Sequence, residues 1–177
     1  MLDADKTVHS LLQSDLLTIS KLIQEFGPEI LGENGQINRS KLGIRVFDDE
    51  DARKRLERIV HPSVVEHMKD ERAVLQDTGI KVCVWDVPLL FETGLEQLVN
   101  EVWVVWVPRD LQILRVLARD KLTRDEVEAR IAAQGSLDEK RKRADVVIDN
   151  SGSELETERQ LEIVWKELLI RRRLSDS

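Results

Sequence analysis

Residues 82–92 read VCVWDVPLLFE and form a clear strand signal. The first half of this stretch is short, nearly continuous in apolar character, and rich in β-branched and aromatic residues, which is typical of a strand buried on both faces. We therefore predict a strand over 82–90, and the same character predicts strands over 101–107 and 145–148. Because strands buried on both faces occur in parallel sheets, the sequence predicts a parallel sheet.

Helical periodicity lies between and after these strands. Apolar residues recur at helical spacing over 111–117 and 161–168, and residues 40–78 are nearly all helical in pattern. The alternation of strand and helix predicts an α/β fold. The long helical stretch predicts a helical subdomain inserted between strands, a place that often carries the acceptor-substrate site.

Several local signals predict where helices begin and end. Gly27 and Pro28 are predicted to stop a helix, and a surface turn follows at 32–35. His61 and Pro62 are predicted to end one helix and begin another, with a local hydrogen-bonding histidine as the alternative to a functional one. Capping boxes are predicted at three pairs: Thr123 with Glu126, Ser136 with Glu139, and Ser153 with Glu156.

Composition limits the class of protein. The 177 residues carry a net charge of -7, which disfavours non-specific attachment to nucleic acid or to an anionic membrane, so an anion site must be a local basic cluster. Cys83 is the single cysteine and cannot form an internal disulfide. With no signal-peptide pattern and no apolar run long enough to span a bilayer, the sequence predicts a soluble, cytoplasmic protein.

Three acids interrupt or follow apolar segments. If residues 1–2 end a strand, Asp5 lies at its carboxyl edge with Asp3 close by, where α/β sheets bind ligands. Asp86 near the carboxyl end of the 82–90 strand resembles a Walker-B acid, which orients Mg²⁺. The alternatives are solvated acids near a terminus and an acid that caps a turn.

Basic residues collect between 109 and 143. Arg115 and Arg119 lie four apart and share a helix face, and they are followed by Arg124, Arg130 and the KRKR run at 140–143. In an acidic chain this density predicts a phosphate-binding region, because guanidinium groups bind phosphate through paired hydrogen bonds. A solvated helix face is the alternative for most of these side chains.

Small and amide residues follow the 145–148 strand. The segment IDNSG, 148–152, permits close approach of the backbone to a base or a phosphate. None of the eight glycines lies in a GxxxxGK[ST] phosphate loop, and no zinc-type cluster is present.

The ordered blocks of the chain resemble the dephospho-coenzyme A kinase family over nearly its whole length. They are LDADK, EFGPEIL, NRSKLGIRVF, RLERIVHP, VWDVPLLFETG, EVWVVWVP, RD, RIAAQ and KRKRADVVIDNSG. The resemblance implies a P-loop NTPase-like α/β fold of three layers, with a parallel sheet between helices. It implies one kinase domain over 1–177, a helical substrate-binding subdomain at 28–78 and a lid at 109–143.

The same resemblance implies ATP-dependent phosphorylation of the 3′-hydroxyl of dephospho-coenzyme A, the last step of coenzyme A synthesis. It implies ATP and dephospho-coenzyme A as partners and Mg²⁺ as cofactor, for which Asp86 is the candidate ligand from its place near the strand end. The net charge predicts neither a nucleic acid nor a membrane partner. Asp5, the second acid of the DAD motif, is implied as the catalytic base. The implied acceptor-binding residues are Asp3, His61, Pro62, Leu89 and Phe91. The implied ATP and lid residues are Arg115, Arg119, Arg130, Gln134, Lys140, Arg141, Arg143, Asn150, Ser151 and Gly152.

The chain departs from the family pattern at its start. Family members have a strand, a GxxGxGKS-type loop and a helix before the DAD motif, whereas this sequence opens at that motif. We expect the first strand, central between the 82–90 and 101–107 strands, and the phosphate loop to be absent from this chain, which would then be a poor kinase or not a kinase at all. The intact mass of the native protein, compared with 20.4 kDa, tests this expectation.

Two alternative functions stay open from the sequence. One is a non-catalytic paralogue that binds coenzyme A precursors, and the other is an enzyme related to nucleoside monophosphate kinases. Retention of the candidate base and of the lid cations argues against the first.

Overall fold

The computed structural model describes residues 1–47 and 49–174. The chain divides into two compact units, Met1–Pro88 and Leu89–Ser177. Among the described residues, no helix has the combination of length and apolar character that crossing a membrane requires. The subdomain boundaries predicted at 28–78 and 109–143 stay predictions.

In its described residues, the first unit contains a small parallel sheet and four α-helices. Its elements are β1 (Leu2–Asp3), α1 (Ala4–Ser14), α2 (Leu16–Phe26), a 3₁₀ turn (Pro28–Ile30), α3 (Arg39–Phe47), α4 (Glu50–Asp77) and β2 (Trp85–Asp86). Strands β1 and β2 pair in parallel. The predicted stop at Gly27 is confirmed: α2 ends at Phe26, and Gly27 has φ 84°, a conformation that favours glycine.

The core of this unit forms where α1, α2 and α3 pack against α4. Leu22, Ile30 and Met68 are fully buried at its centre. Thr18 is also fully buried, and its hydroxyl donates to Ser63 Oγ at 2.8 Å, which satisfies a polar group that would otherwise destabilise the core. This core fixes the direction of α1, on which Asp5 lies.

The predicted break at His61 and Pro62 is wrong. Helix α4 runs without interruption from Glu50 to Asp77 and contains Pro62. Proline removes one hydrogen bond from a helix interior, but Val60, Val64 and Met68 on either side are buried in the core. Their burial outweighs the lost hydrogen bond, so the helix continues.

The second unit contains a second parallel pair of strands. Its elements are a 3₁₀ turn (Leu95–Leu98), β3 (Trp103–Trp106), α5 (Arg109–Arg119), α6 (Arg124–Ala133), α7 (Leu137–Arg143), β4 (Val146–Asp149) and α8 (Glu154–Leu174). Strand β3 pairs with β4 in parallel, from Trp103 with Val146 to Trp106 with Asp149. Helix α5 packs on α6, α7 on β3, and α8 on β4.

The parallel pairing is confirmed, but two details of the predicted sheet are wrong. Within the described residues, β1–β2 and β3–β4 form separate two-stranded sheets. The strand predicted over 82–90 covers only Trp85–Asp86, because its partner β1 has only two residues. The β3–β4 pair buries one face, with Val104 and Ile148 inside, whereas Val105 is 51% and Val147 41% exposed. Burial on both faces is therefore not observed.

Two of the three predicted capping boxes are confirmed. At Thr123 and Glu126, and again at Ser153 and Glu156, the hydroxyl accepts from the Glu amide while the carboxylate accepts from the capping residue's amide. Ser136 begins α7 without a side-chain cap, so the third box is wrong. These hydrogen bonds lower the pKa of Glu126 and Glu156, in each case chiefly through the backbone amide of the capping residue.

This difference gives a matched prediction for stability. Ser153→Ala is expected to lower the free energy of unfolding by about 1 kcal/mol, because it removes a working cap. Ser136→Ala is expected to change it by less than about 0.5 kcal/mol. Urea unfolding followed by circular dichroism measures both, and equal losses would contradict the assigned caps.

Candidate active site

The two strands of the first unit end in acids at one sheet edge. Asp3 and Asp86 are register partners on the parallel strands β1 and β2. The carboxylate of Asp86 is exposed and has no hydrogen bond or ion pair to any described residue. Asp86 is thus available as an oxygen ligand at the carboxyl edge of a parallel sheet.

Asp3 is the N-cap residue of α1. Its Oδ1 accepts from the Lys6 amide at 3.0 Å, and its Oδ2 lies 3.3 Å from Lys6 Nζ. The Lys6 amide is the main cause that lowers the pKa of Asp3. Asp3 therefore orients α1, and an additional role toward the acceptor stays a prediction.

Asp5 is the second residue of α1 and directly follows the sheet edge. Its side chain is exposed, and the described part of the chain offers its carboxylate no hydrogen bond or ion pair. A carboxylate without an internal partner is free to accept a proton from a substrate hydroxyl. Asp5 is thus free for the role predicted from the sequence.

His61 and Pro62 lie in the middle of α4, on its outer side. They line an open groove along this helix together with side chains that include Lys54 and Arg58. Their predicted role in acceptor binding stays a prediction.

In the second unit, Leu89 and Phe91 belong to the turns that follow residue 88. Both side chains are half-buried. The Thr93 hydroxyl donates to the Leu89 carbonyl at 2.7 Å, which stabilises the turn. The guanidinium of Arg143 lies 4.3 Å from the centre of the Phe91 ring, a cation–π contact.

The basic helix α7 has partners within its own unit. Lys140 Nζ lies 2.9 Å from Glu92 Oε1, and its side chain is only 12% exposed. Arg143 forms an ion pair with Glu96. Arg141 stacks on Trp106, with 4.4 Å from its guanidinium carbon to the ring centre. These contacts fix α7 to the turns at 91–96 and to β3, a role that sequence reasoning missed.

Arg119 and Arg130 meet around one carboxylate. Asp120 follows α5, and its two oxygens lie 2.7 and 3.0 Å from Arg119 Nε and Nη2, while Arg130 Nη1 lies 3.6 Å from Oδ2. The pKa of Asp120 is lowered, mainly by the Arg119 hydrogen bond. Gln134 is exposed and directly follows α6 as its C-cap residue. Asp120 was missed, although an acid directly after an arginine at a helix end was a usable signal.

The loop at 150–152 is anchored from two helices. Arg115 on α5 donates to the carbonyls of Asn150 at 2.6 Å and Gly152 at 3.3 Å. Thr157 on α8 donates its hydroxyl to Asn150 Oδ1 at 3.0 Å. The Ser151 amide donates to Asp149 Oδ1 at 2.8 Å. Arg115 therefore supports this loop, which sequence reasoning had not foreseen.

Gln160 extends the same support to the end of β4. Its Oε1 accepts from the Asp149 amide at 2.9 Å, and its Nε2 donates to the Asp149 carbonyl at 2.8 Å. The side-chain amide thus pairs with the backbone as a neighbouring strand would. Nothing in the local sequence marked Gln160.

Comparison with known proteins assigns the family. A family model described as dephospho-CoA kinase matches residues 1–156. The chain is 44% identical to the dephospho-CoA kinase of Geobacillus kaustophilus, over 94% of this chain and 83% of that protein. It is 46% identical to the dephospho-CoA kinase of Bacillus licheniformis, over 91% of this chain and 80% of that protein.

Solved structures agree with this assignment. The crystal structure of TT1252 from Thermus thermophilus superposes with a TM-score of 0.73 at 34% identity, covering 94% of this chain and 83% of that chain. The dephospho-CoA kinase from Campylobacter jejuni superposes with a TM-score of 0.70 at 30% identity and the same coverage. Since the family model, the relatives and the solved structures all match across most of the sequence, the chain belongs to the dephospho-CoA kinase family.

Proposed function

We propose that this member of the family transfers the γ-phosphoryl group of ATP to the 3′-hydroxyl of dephospho-CoA, which gives coenzyme A in the last step of its synthesis. The observation that supports this most is the exposed carboxylate of Asp5, which has no partner among the described residues and directly follows the strand edge. Phosphoryl transfer depends on positioning and charge neutralisation, together with one oriented carboxylate.

Asp5 acts as the base in this reaction. As the 3′-oxygen attacks the γ-phosphorus, its proton passes to an Asp5 carboxylate oxygen, and the bond from phosphorus to the bridging oxygen breaks to release ADP. The packing of α1 on α2 and α4 holds Asp5 in a fixed direction. Such orientation lowers the entropic part of the barrier.

The acids at the strand edge fit Mg²⁺ held jointly with phosphate oxygens. Mg²⁺ in kinases is bound through one or two carboxylates plus substrate phosphates, and here Asp86 and Asp3 lie in register on adjacent strands. Among residues 1–47 and 49–174 no group of three His, Cys, Asp or Glu side chains could form a complete protein cage. When bound, Mg²⁺ neutralises phosphate charge.

Within the second unit, the candidate ATP-binding groups are its cations and the loop at 150–152. Arg119 and Arg130 bind the phosphates of ATP. In the present structure both guanidinium groups contact the carboxylate of Asp120, so the phosphates compete with Asp120 for them. Lys140, Arg141, Arg143 and Gln134 complete the lid over 109–143, whose helices are α5, α6 and α7. The adenine of ATP lies against the loop Asn150, Ser151 and Gly152. The acceptor is bound by the 28–78 subdomain.

Gln160 is expected to influence the affinity for ATP through this loop. Gln160→Ala removes two backbone hydrogen bonds, and a loss of about 1.4 kcal/mol would raise the KM for ATP about tenfold. We expect kcat to stay within about twofold, because no reacting group is touched. The control is Glu158→Ala, exposed on the same helix. A rise in the KM for dephospho-CoA alone would contradict the assignment of the loop.

An acceptor panel tests the proposed function. The protein is incubated with ATP and, in separate reactions, with dephospho-CoA, AMP and CMP, and the products are resolved by chromatography. We expect phosphorylation of dephospho-CoA in preference to both nucleotides. Preferred phosphorylation of AMP or CMP would contradict the proposal, and so would tight binding of dephospho-CoA by the native protein without turnover.

A further inference from the structure

A polar cleft of about 180 Å³ lies between α1 and the segment that leads into α3. The buried side chains of Leu12 and Ile37 contribute its apolar part. Its polar lining residues are His9, Gln13, Asn34, Gln36, Asn38 and Arg39. None of the individual site residues predicted from the sequence lines this cleft, although its residues between 32 and 39 belong to the predicted 28–78 subdomain.

The charges in the cleft favour an anion. Among the residues that the structure describes, no acidic side chain lines it, although the chain as a whole has a net charge of -7. Within the described residues the guanidinium of Arg39 is recorded only with His9, at 3.5 Å from Nη1 to Nδ1, and with no carboxylate. An arginine without an acidic partner in such a chain retains its full capacity to bind phosphate through paired hydrogen bonds.

The hydrogen-bonding groups of the cleft point to the same kind of ligand. Asn34 Oδ1 accepts from the Gln36 amide at 3.1 Å, and Gln36 Oε1 accepts from Asn34 Nδ2 at 2.7 Å. Asn38 Oδ1 accepts from the amides of Ser40 and Lys41 at the start of α3. The acceptor oxygens of these three amides are therefore used internally, whereas N–H donors of Gln36 and Asn38 remain available for a ligand rich in acceptors.

His9 also faces donors at both ring nitrogens. Gln13 Nε2 lies 3.0 Å from His9 Nε2, and Arg39 lies near Nδ1. A neutral imidazole has one acceptor nitrogen, so it accepts from only one of these neighbours at a time. An anion in the cleft would accept from whichever donors remain.

The cleft and the candidate base Asp5 lie along the same side of α1. Asp5, His9 and Gln13 follow one another at intervals of four residues on α1, so they lie along one side of the helix. With a rise of about 1.5 Å per residue, His9 is about 6 Å along the helix axis from Asp5. In dephospho-CoA the ribose that carries the 3′-hydroxyl also carries the pyrophosphate at its 5′-oxygen, one sugar ring away.

We propose that this cleft binds the pyrophosphate of dephospho-CoA, with Arg39 as the principal cation and with His9 and the amides of Gln13, Gln36 and Asn38 as further donors. The assignment rests on the proposed function, since it takes dephospho-CoA as the acceptor and Asp5 as the base. The pyrophosphate anchors the acceptor on α1 and α3 and thereby directs its 3′-hydroxyl toward Asp5.

The first test measures binding without turnover. Inorganic pyrophosphate is titrated into the full chain while the imidazole Cε1–H signals of the three histidines are followed by NMR. We expect the His9 signal to move and those of His61 and His67, both on α4, to stay. Arg39→Gln is expected to weaken this binding at least tenfold. An unmoved His9 signal at millimolar pyrophosphate, or equal shifts at all three histidines, would overturn the proposal.

The second test separates the acceptor from ATP. Arg39→Gln is expected to raise the KM for dephospho-CoA at least tenfold and to leave the KM for ATP within twofold. The control is Arg45→Gln, which changes an exposed arginine on the same helix that has no recorded partner among the described residues. If Arg39→Gln alters the circular dichroism spectrum, the measurement is repeated with His9→Gln, since His9 is an exposed residue of the same cleft.

The outcomes are distinguishable from those of the proposed function. If the native protein phosphorylates dephospho-CoA, and if neither Arg39→Gln nor His9→Gln changes the KM for dephospho-CoA, only the assignment of the cleft is wrong. If the KM for ATP rises instead, the anion that binds here belongs to ATP and the proposal is overturned. If the native protein prefers another acceptor in the panel described above, the proposed function itself fails, and this assignment fails with it.

Discussion

Asp5→Asn is expected to lower kcat for dephospho-CoA phosphorylation by about 10²- to 10⁴-fold, the usual contribution of a positioned general base. Asparagine has nearly the same shape as aspartate but cannot take up the 3′-hydroxyl proton. The KM values for ATP and dephospho-CoA are expected to change little, because the substitution acts on the reacting proton and not on ground-state binding. Steady-state kinetics with chromatographic detection of coenzyme A measures all three constants.

Asp125→Asn is the matched control for this substitution. Asp125 is exposed and is the second residue of α6, as Asp5 is the second residue of α1, so both changes remove one acid from a first helical turn. The control corrects for the loss of a favourable interaction with the helix dipole. If Asp5→Asn keeps kcat within a few-fold of the Asp125→Asn value, Asp5 is not the base.

Leu22→Ala is expected to lower the free energy of unfolding by about 2 to 5 kcal/mol, the range for truncating a buried leucine. Leu22 is fully buried in the cluster that also contains Ile30 and Met68, where the cavity left by the lost atoms cannot collapse freely. Since total stability is about 5 to 15 kcal/mol, this loss threatens the whole first unit. Urea unfolding followed by circular dichroism measures it.

Leu17→Ala provides the comparison on the same helix. Leu17 is 62% exposed, so the identical substitution there is expected to change the free energy of unfolding by less than about 0.5 kcal/mol. Similar losses at Leu17 and Leu22 would contradict the packing of α2 described above. A selective loss at Leu22 would show that the core holding α1, and with it Asp5 and His9, depends on this side of α2.

The helices could be predicted from the sequence because their signals are local. The apolar spacing over 111–117 is contained within α5, and Gly27 ends α2 where its conformation permits. The strands were less predictable, because a strand extends only as far as its partner does. Trp85–Asp86 pairs with a two-residue β1, which a reading of 82–90 alone could not reveal.

The candidate site was predictable in its charged residues and not in their partners. The acids at Asp5 and Asp86 interrupt or follow apolar segments, which makes them visible in the sequence. The contacts of Lys140 with Glu92 and of Arg115 with Asn150 join residues distant in the chain. Such pairs depend on how the helices and loops pack. The sequence therefore predicted only phosphate binding for Lys140 and Arg115, and not their contacts within the protein.

Pro62 has a consequence for how α4 exchanges its amide hydrogens with deuterium. Proline has no amide hydrogen, so the carbonyl of Arg58 lacks its intrahelical donor, and the hydrogen-bond ladder of this 28-residue helix is interrupted once. Local unfolding that starts at one end of the helix meets a missing hydrogen bond at Pro62, so it need not spread to the other end. The segments on the two sides of Pro62 are therefore expected to acquire deuterium at separate rates, as two opening units within one continuous helix.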